Sequence, residues 1–251
     1  MSNRVALSII VLLVVLGCPF LVMAEERASS DHNKQPGHPS FMPPQPGEPR
    51  GEINAPPLKM VAPGVFEIGG VRILKKEDKV EFPATVNMDK GLLEYLIVGT
   101  SGKLHESLLR TEVEPYGLQI ALLMIGLEGS TNPLASQGEP RRPEGDPVTI
   151  WIRWQEGKQI RKARIEEWVL KGKNPMGPTP WIFTGSFVSN GIFMAQVEKS
   201  IVAVFHDPVA LIDNPMPEGA SDEVWFAREG KVPPPGTGVT VVIHKEPKPS
   251  N

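Results

Sequence analysis

The side chains best suited to chemistry fall in two short groups, His105-Glu106-Ser107 and His206-Asp207, with Asp213 shortly after the second. A histidine with a glutamate can supply half of a zinc site or a general-base pair, and histidine with aspartate offers the same chemistry about a hundred residues later. A metal-binding protein or metal-assisted hydrolase built on His105, Glu106, His206 and Asp207 therefore requires that the two groups meet in the fold. Local geometry offers a plainer account of each. Neighbours on a strand point to opposite faces, and Leu109 stands where the second histidine of a His-Glu-x-x-His helix would be. His105, Glu106 and Ser107 then hold a turn by hydrogen bonds. Asp207 precedes Pro208, an arrangement that starts helices because the carboxylate accepts a free backbone N–H. Asp213-Asn214-Pro215 closes the turn that follows.

Other motifs are incomplete. Gly99-Thr100-Ser101-Gly102-Lys103 lacks the spacing of a phosphate loop and the hydroxyl after its lysine. Gly185-Ser186 lacks the flanking glycine of a nucleophile elbow. Glu166 and Glu167 are neighbours on an expected helix, so they diverge onto a solvated face. Among the five tryptophans, Trp151 alone is expected to oppose the apolar face of its strand, which makes it a candidate ligand platform.

The elements that must position these residues read as β-rich with one strong helix. Val80–Val86, Leu92–Val98, Val148–Trp154, Phe193–Val197, Ile201–Phe205 and Val239–Ile243 look like strands. In the third, Val148, Ile150, Ile152 and Trp154 share one face while Thr149, Trp151 and Arg153 take the other. Gln155 to Lys158 reads as a hairpin turn into a strand around Ile160. Pro115 fits the first turn of a helix whose apolar body runs to Leu127, with Gly126 or Gly129 to end it. Apolar almost all round, it should be buried. A shorter helix is expected over 164–171. The predicted fold is α+β, a mixed or antiparallel sheet packed by a buried helix at about 115–127 and a shorter one at about 164–171. Gly129 to Pro147, with Arg141, Arg142, Glu144 and Asp146, reads as a surface loop.

The N-terminus bears on location. Arg4 precedes an apolar stretch from Val5 to Ala24 that is followed by Glu25-Glu26, the pattern of an export signal, with cleavage expected after Ala24. Two other readings stay open. Val15-Leu16-Gly17-Cys18 resembles a lipoprotein processing box that would put lipid on Cys18, although the apolar run continues past it. An uncleaved anchor is the other, since about 20 apolar residues span a bilayer. Membrane association is expected only through one of these two routes. The organisation is then a signal peptide at 1–24, a Pro-rich spacer at 25–64, one domain at 65–245 and a flexible tail at 246–251. The protein is expected in the periplasm or cell envelope.

Of the 26 basic residues, loss of Arg4 leaves 25 against 29 acidic ones, a net charge of −4 without basic clusters. That balance argues against nucleic acid as a partner. Cys18 is the one cysteine, so the mature chain has no disulfide, no thiolate nucleophile and no iron–sulfur cluster of its own, and no cofactor is predicted.

Lys90-Gly91-Leu92-Leu93-Glu94-Tyr95-Leu96, Gly102-Lys103-Leu104-His105-Glu106-Ser107-Leu108-Leu109 and the helix ending Ile125-Gly126-Leu127 resemble segments of the YdjY-like domain family. So do Trp181–Ser186, Ala210–Pro215 and Pro235–Ile243. The resemblance implies an exported protein of uncharacterised activity, in a family some of whose members carry ferredoxin-type cysteine motifs nearby. Lacking those cysteines, this chain can at most serve a redox partner. The functional expectation is a non-catalytic binding or envelope-accessory domain with an envelope or redox partner protein. The metal reading above is the alternative.

Overall fold

The computed structural model describes residues 56–247. The expected export signal, Cys18 and most of the Pro-rich segment lie outside these residues, as do residues 248–251.

The described chain opens with an antiparallel meander of β1 (Lys59–Ala62), β2 (Val65–Ile68), β3 (Val71–Leu74) and β4 (Lys79–Val86). β1 falls inside the stretch whose composition reads as spacer, so ordered structure begins before Val65. Between β2 and β3, Gly69 and Gly70 take φ of 52° and 84°, the pair of positive values that a tight hairpin turn demands. In β4 the side chains of Val80, Phe82, Ala84 and Val86 are buried, and the residues between them are not.

β5 (Tyr95–Gly99) and β6 (Ser107–Thr111) run parallel, followed by the helix α1 (Pro115–Met124). β7 (Asp146–Glu156) and β8 (Gln159–Arg164) form a long hairpin. Short pieces follow: β9 (Val169–Lys171), β10 (Asn174–Pro175), β11 (Trp181–Phe183), and a small hairpin of β12 (Val188–Ser189) and β13 (Ile192–Phe193) that enters α2 (Met194–Glu198). The chain ends with β14 (Ser200–Ala203), β15 (Ile212–Asp213), β16 (Trp225–Ala227) and β17 (Gly238–Lys245).

Eight of these strands close into a barrel in the order β4-β17-β7-β11-β15-β14-β5-β6, with β6 returning to β4 through Thr85↔Arg110 and Val86↔Leu109. An eight-stranded barrel is just wide enough for side chains to fill its interior, and Phe82, Ile97, Leu109, Ile150, Phe183 and Val241 all belong to one buried core. Closure depends on β4 changing neighbours. It pairs with β3 from Lys79 to Glu81 and with β6 from Thr85 onward. Pro83 sits at that seam, the place along the strand where a missing N–H does least harm, and its carbonyl accepts the Thr111 hydroxyl at 2.6 Å.

The α+β expectation is therefore corrected: among the described residues the fold is a mostly-β closed barrel with two short helices, not a sheet packed by a helix layer. α1 stops at Met124 and packs on the meander of β2, β3 and β4, leaving Leu123 49% exposed. A sheet that closes on itself buries its own apolar face and needs no helix to cover it. The expected helix over 164–171 is a single 3-10 turn, Ile165–Trp168, that runs straight into β9. Glu167 accepts the backbone N–H of Arg164 at 2.8 Å, and the β-branched Val169 then extends. Glu166, expected on a solvated face, is buried against Arg164. The expected strand Phe193–Val197 is helical from Met194.

Candidate functional site

At one rim of the barrel, where β5 and β6 begin and β14 and β15 end, four segments bring polar side chains together. Tyr95 opens β5. The 3-10 turn at Leu104–Glu106 precedes β6, and Asn87 pins it by donating to the carbonyls of Leu104 and Ser107 at 2.6 and 2.7 Å. The loop around Gln137 is held by Arg141, which donates to Asn132 O, Pro133 O and Glu139 Oε1. The fourth segment is the turn from His206 to Asn214.

Tyr95 is the hub. Its hydroxyl donates to Asp207 Oδ2 at 2.8 Å and accepts from Lys103 Nζ at 2.9 Å and from Gln137 Nε2 at 3.3 Å. A phenol has one donor and two acceptor positions, and all three are used. Burial, and next the Asp207 carboxylate, push the Tyr95 hydroxyl well above the usual tyrosine range. It therefore acts as a fixed donor and not as a phenolate base.

Behind it lies a fully buried set. Asp207 Oδ1 accepts from Val209 N at 2.9 Å, and Asp207 N donates to Asp213 Oδ2 at 3.1 Å. Asp213 Oδ1 accepts from Asn214 N at 2.7 Å. Burial raises the Asp213 carboxyl well above the usual range, against the pull of its two backbone donors and with the help of neighbouring Asp207. The Asn214 side chain closes the loop by donating to Val204 O at 2.8 Å and accepting from Met216 N at 3.0 Å.

In front of Tyr95, nearer solvent, Glu94 and Glu106 stand on neighbouring segments, with Glu94 N donating to Glu106 O at 3.0 Å. Partial burial and then the charge of Glu106, offset by Lys103, raise Glu94 to about 7. Ionising Glu94 places its charge beside that of Glu106, which favours its protonated form. Gln137 Nε2 also reaches Glu94 Oε2, at 3.3 Å.

The structure thus brings Glu106, Asp207 and Asp213 to one rim. His105, beside them in sequence, turns outward with 79% of its side chain exposed and its Nε2 3.2 Å from Glu106 Oε2. Ser107 is buried and donates to Lys103 O at 2.5 Å, the turn-holding role read from sequence. His206 is buried with Nδ1 2.7 Å from Glu139 O and Nε2 2.9 Å from Asn214 O. Both ring nitrogens thus face backbone carbonyls, which ties the rim loops together. Among the described residues no group of three or more His, Cys, Asp or Glu is placed to hold a metal ion. Trp151 lies on the outer side of β7, with Lys162 Nζ over its ring at 3.9 Å and Arg164 at 5.8 Å. Its face is taken by cations of the neighbouring strand. Cys18 lies outside the described residues.

Sequence reasoning missed Glu94, Tyr95, Lys103 and Gln137. Glu94-Tyr95 breaks an otherwise apolar strand, which was a usable signal. Lys103 stands both in the incomplete phosphate-loop pattern and in a family-like phrase, neither of which gives it a role, and Gln137 carries no signal within its loop.

Fold and site together define a closed β-barrel domain with a hydrogen-bonded polar cluster at one rim. The model of the YdjY domain family matches residues 71–244, well over half of the 251-residue chain, and the chain belongs to that family. No curated protein and no solved structure matches it. Among the described residues no helix is long and apolar enough to cross a membrane.

Proposed function

We propose that the chain is an exported, non-catalytic binding domain of the cell envelope, and that the rim carrying Glu94 and Glu106 is the surface that meets its partner. The observation that carries this reading is the half-buried acid pair, with Glu94 raised to about 7 by burial and by Glu106. Such a pair is poised to exchange the Glu94 proton for a cation. An ammonium or guanidinium group of a partner, arriving between the two carboxylates, takes the proton's place, donates to both and leaves the same net charge of one. Binding then releases a proton and strengthens as pH rises through 7. Gln137, which donates both to Glu94 and to the Tyr95 hydroxyl, and the backbone bond from Glu94 N to Glu106 O hold the pair in place, so little ordering cost falls on the encounter.

Affinity capture from an envelope fraction with gentle crosslinking tests the proposal, using the full chain at pH 6 and pH 8 beside a Glu94→Gln/Glu106→Gln variant. A reproducible partner, held more strongly at pH 8 by the unaltered protein and lost from the variant, is expected. Recovery of no partner, or equal recovery by the variant, sinks the reading.

A further inference from the structure

Away from the rim, and independent of the reading above, a cavity of ≈ 320 Å³ lies between α1 and the small hairpin β12–β13. We propose that it is a binding site for a small, neutral, flat molecule that carries one hydrogen-bond donor, of the kind a heteroaromatic N–H represents. Its volume falls at the lower end of the range of small-molecule pockets. Tyr116, Phe187 and Phe193 supply aromatic walls, with Tyr116 and Phe193 edge to face at a centroid distance of 6.2 Å. No charged side chain lines it, so a charged ligand would lose its hydration without gaining a partner.

The polar component is specific. Gln119, in the cavity wall, has its buried Oε1 without a hydrogen-bond partner. A buried carbonyl left unpaired is costly, and nearly all such groups in folded proteins find a donor. The terminal torsion of glutamine is broad, so a small rotation turns the amide oxygen into the cavity. Ser186, also in the wall, uses its oxygen to accept from Ala195 N at 3.2 Å, and its hydroxyl proton stays available to a ligand acceptor. Ser186 holds φ at 55° and Asn190 at 51°, values that non-glycine residues adopt at a cost. Ser186 lies just before the hairpin and Asn190 in its tip, and between them β12 carries Val188, an apolar side chain 65% exposed at the cavity rim. A ligand seated in the cavity would cover it.

The test compares 5-fluoroindole with 5-fluorobenzofuran by ligand-observed fluorine NMR on the full chain. The two probes have nearly the same shape and differ in that a ring oxygen replaces the donor N–H. The expected result is binding of 5-fluoroindole, with the benzofuran about tenfold weaker, the size of one buried hydrogen bond left unmade. Gln119→Met keeps the length of the side chain but removes the acceptor, and should bring the two probes to equal affinity. Phe187→Ala should weaken both. Absence of binding by either probe, equal binding of both to the unaltered chain, or a preference that survives Gln119→Met overturns the proposal. The two-probe comparison needs no variant, so it decides even if the substitutions disturb folding.

Discussion

The wall formed by β4, β17 and β7 and the rim formed by β5, β6, β14 and β15 belong to one barrel but are held together differently. In the wall, β17 pairs with β4 over Gly238–His244 and with β7 over Val239–Lys245, in unbroken register. Its core side chains, Val239, Val241 and Ile243, are apolar. In the rim, β15 is two residues long, β14 shifts register twice against β5, and β5–β6 and β14–β15 are parallel. What the rim lacks in ladder it gains in side-chain hydrogen bonds, such as Tyr95 to Asp207 across 112 residues of sequence. Regular strands stabilise by area removed from water, whereas irregular ones stay closed by specific polar contacts that can also be presented to a partner.

The largest loss of stability is expected from a charge placed in the wall. Val241 has no exposed surface, and Val241→Asp buries a carboxylate without a partner. The expected loss is about 4 kcal/mol or more, read as a lowered midpoint in urea with global loss of amide protection. A midpoint close to that of the unaltered chain would contradict the position of β17 at the centre of the wall.

A comparable change at the rim should cost less and act locally. Asp213→Ala leaves the backbone N–H groups of Asp207 and Asn214 without acceptors, and also removes an acid whose own burial is unfavourable. The balance is a loss of about 2 kcal/mol. Hydrogen exchange should speed up across residues 204–219 before it does so in β17. Tyr95→Phe should cost about 1–2 kcal/mol by leaving Asp207 Oδ2 buried without its donor. Uniform acceleration of exchange over the barrel in either variant would erase the distinction between the two regions.

The acid pair provides a smaller effect, visible as a pH dependence. Glu94 is raised to about 7 in the folded protein from an ordinary value of 4.5, so between those limits the folded state holds more proton than the unfolded chain. Stability from this group is then highest at the acid end of the window and is lost as pH rises through 7. His244, lowered chiefly by burial, works the opposite way below its ordinary 6.5, because the unfolded chain binds the proton more readily. The difference between the unaltered chain and Glu94→Gln isolates the carboxyl. It should vary with pH between about 4.5 and 7 and level off outside that window. Glu94 is partly exposed, so solvent screening keeps the effect modest. A difference that stayed constant over the window would show that Glu94 is not raised in the folded protein.

How much of this was legible follows the same division. The wall strands were read nearly to their ends, including the faces of Val148 to Trp154 and of Val239 to Ile243, because period-two burial over seven residues or more leaves a pattern in a single sequence. Strands of two or three residues such as β11 and β15 leave no such pattern, and the β4–β6 closure depends on pairing between distant residues. Without them an open sheet in need of a helix was the natural inference. At the rim, Asp207 and Asp213 were found through their neighbouring prolines and turns. Their partners Tyr95 and Lys103 were not, since a hydrogen bond between positions far apart has no local signature.

The smallest expected effect lies where the wall ends. Composition places the start of a dispensable tail at Glu246, yet this residue continues the wall for one more step. Its N–H donates to Pro147 O at 3.0 Å, and its Oε1 accepts the hydroxyl of Thr149 at 2.8 Å. Thr149 is buried, so its hydroxyl would otherwise lack an acceptor. Glu246→Ala keeps the backbone bond and removes the side-chain one, and because Glu246 is itself only half-buried, water can reach the vacated position and recover much of the loss. The cost should be about 0.5 kcal/mol, at the edge of what a urea melt resolves. Ending the chain after Lys245 removes both bonds and frees the first residues of β7 and the last of β17 to fray. It should therefore cost more than Glu246→Ala, by roughly 1 kcal/mol. Equal midpoints for the point variant, the shortened chain and the unaltered protein would restore Glu246 to the tail and end the wall at Lys245.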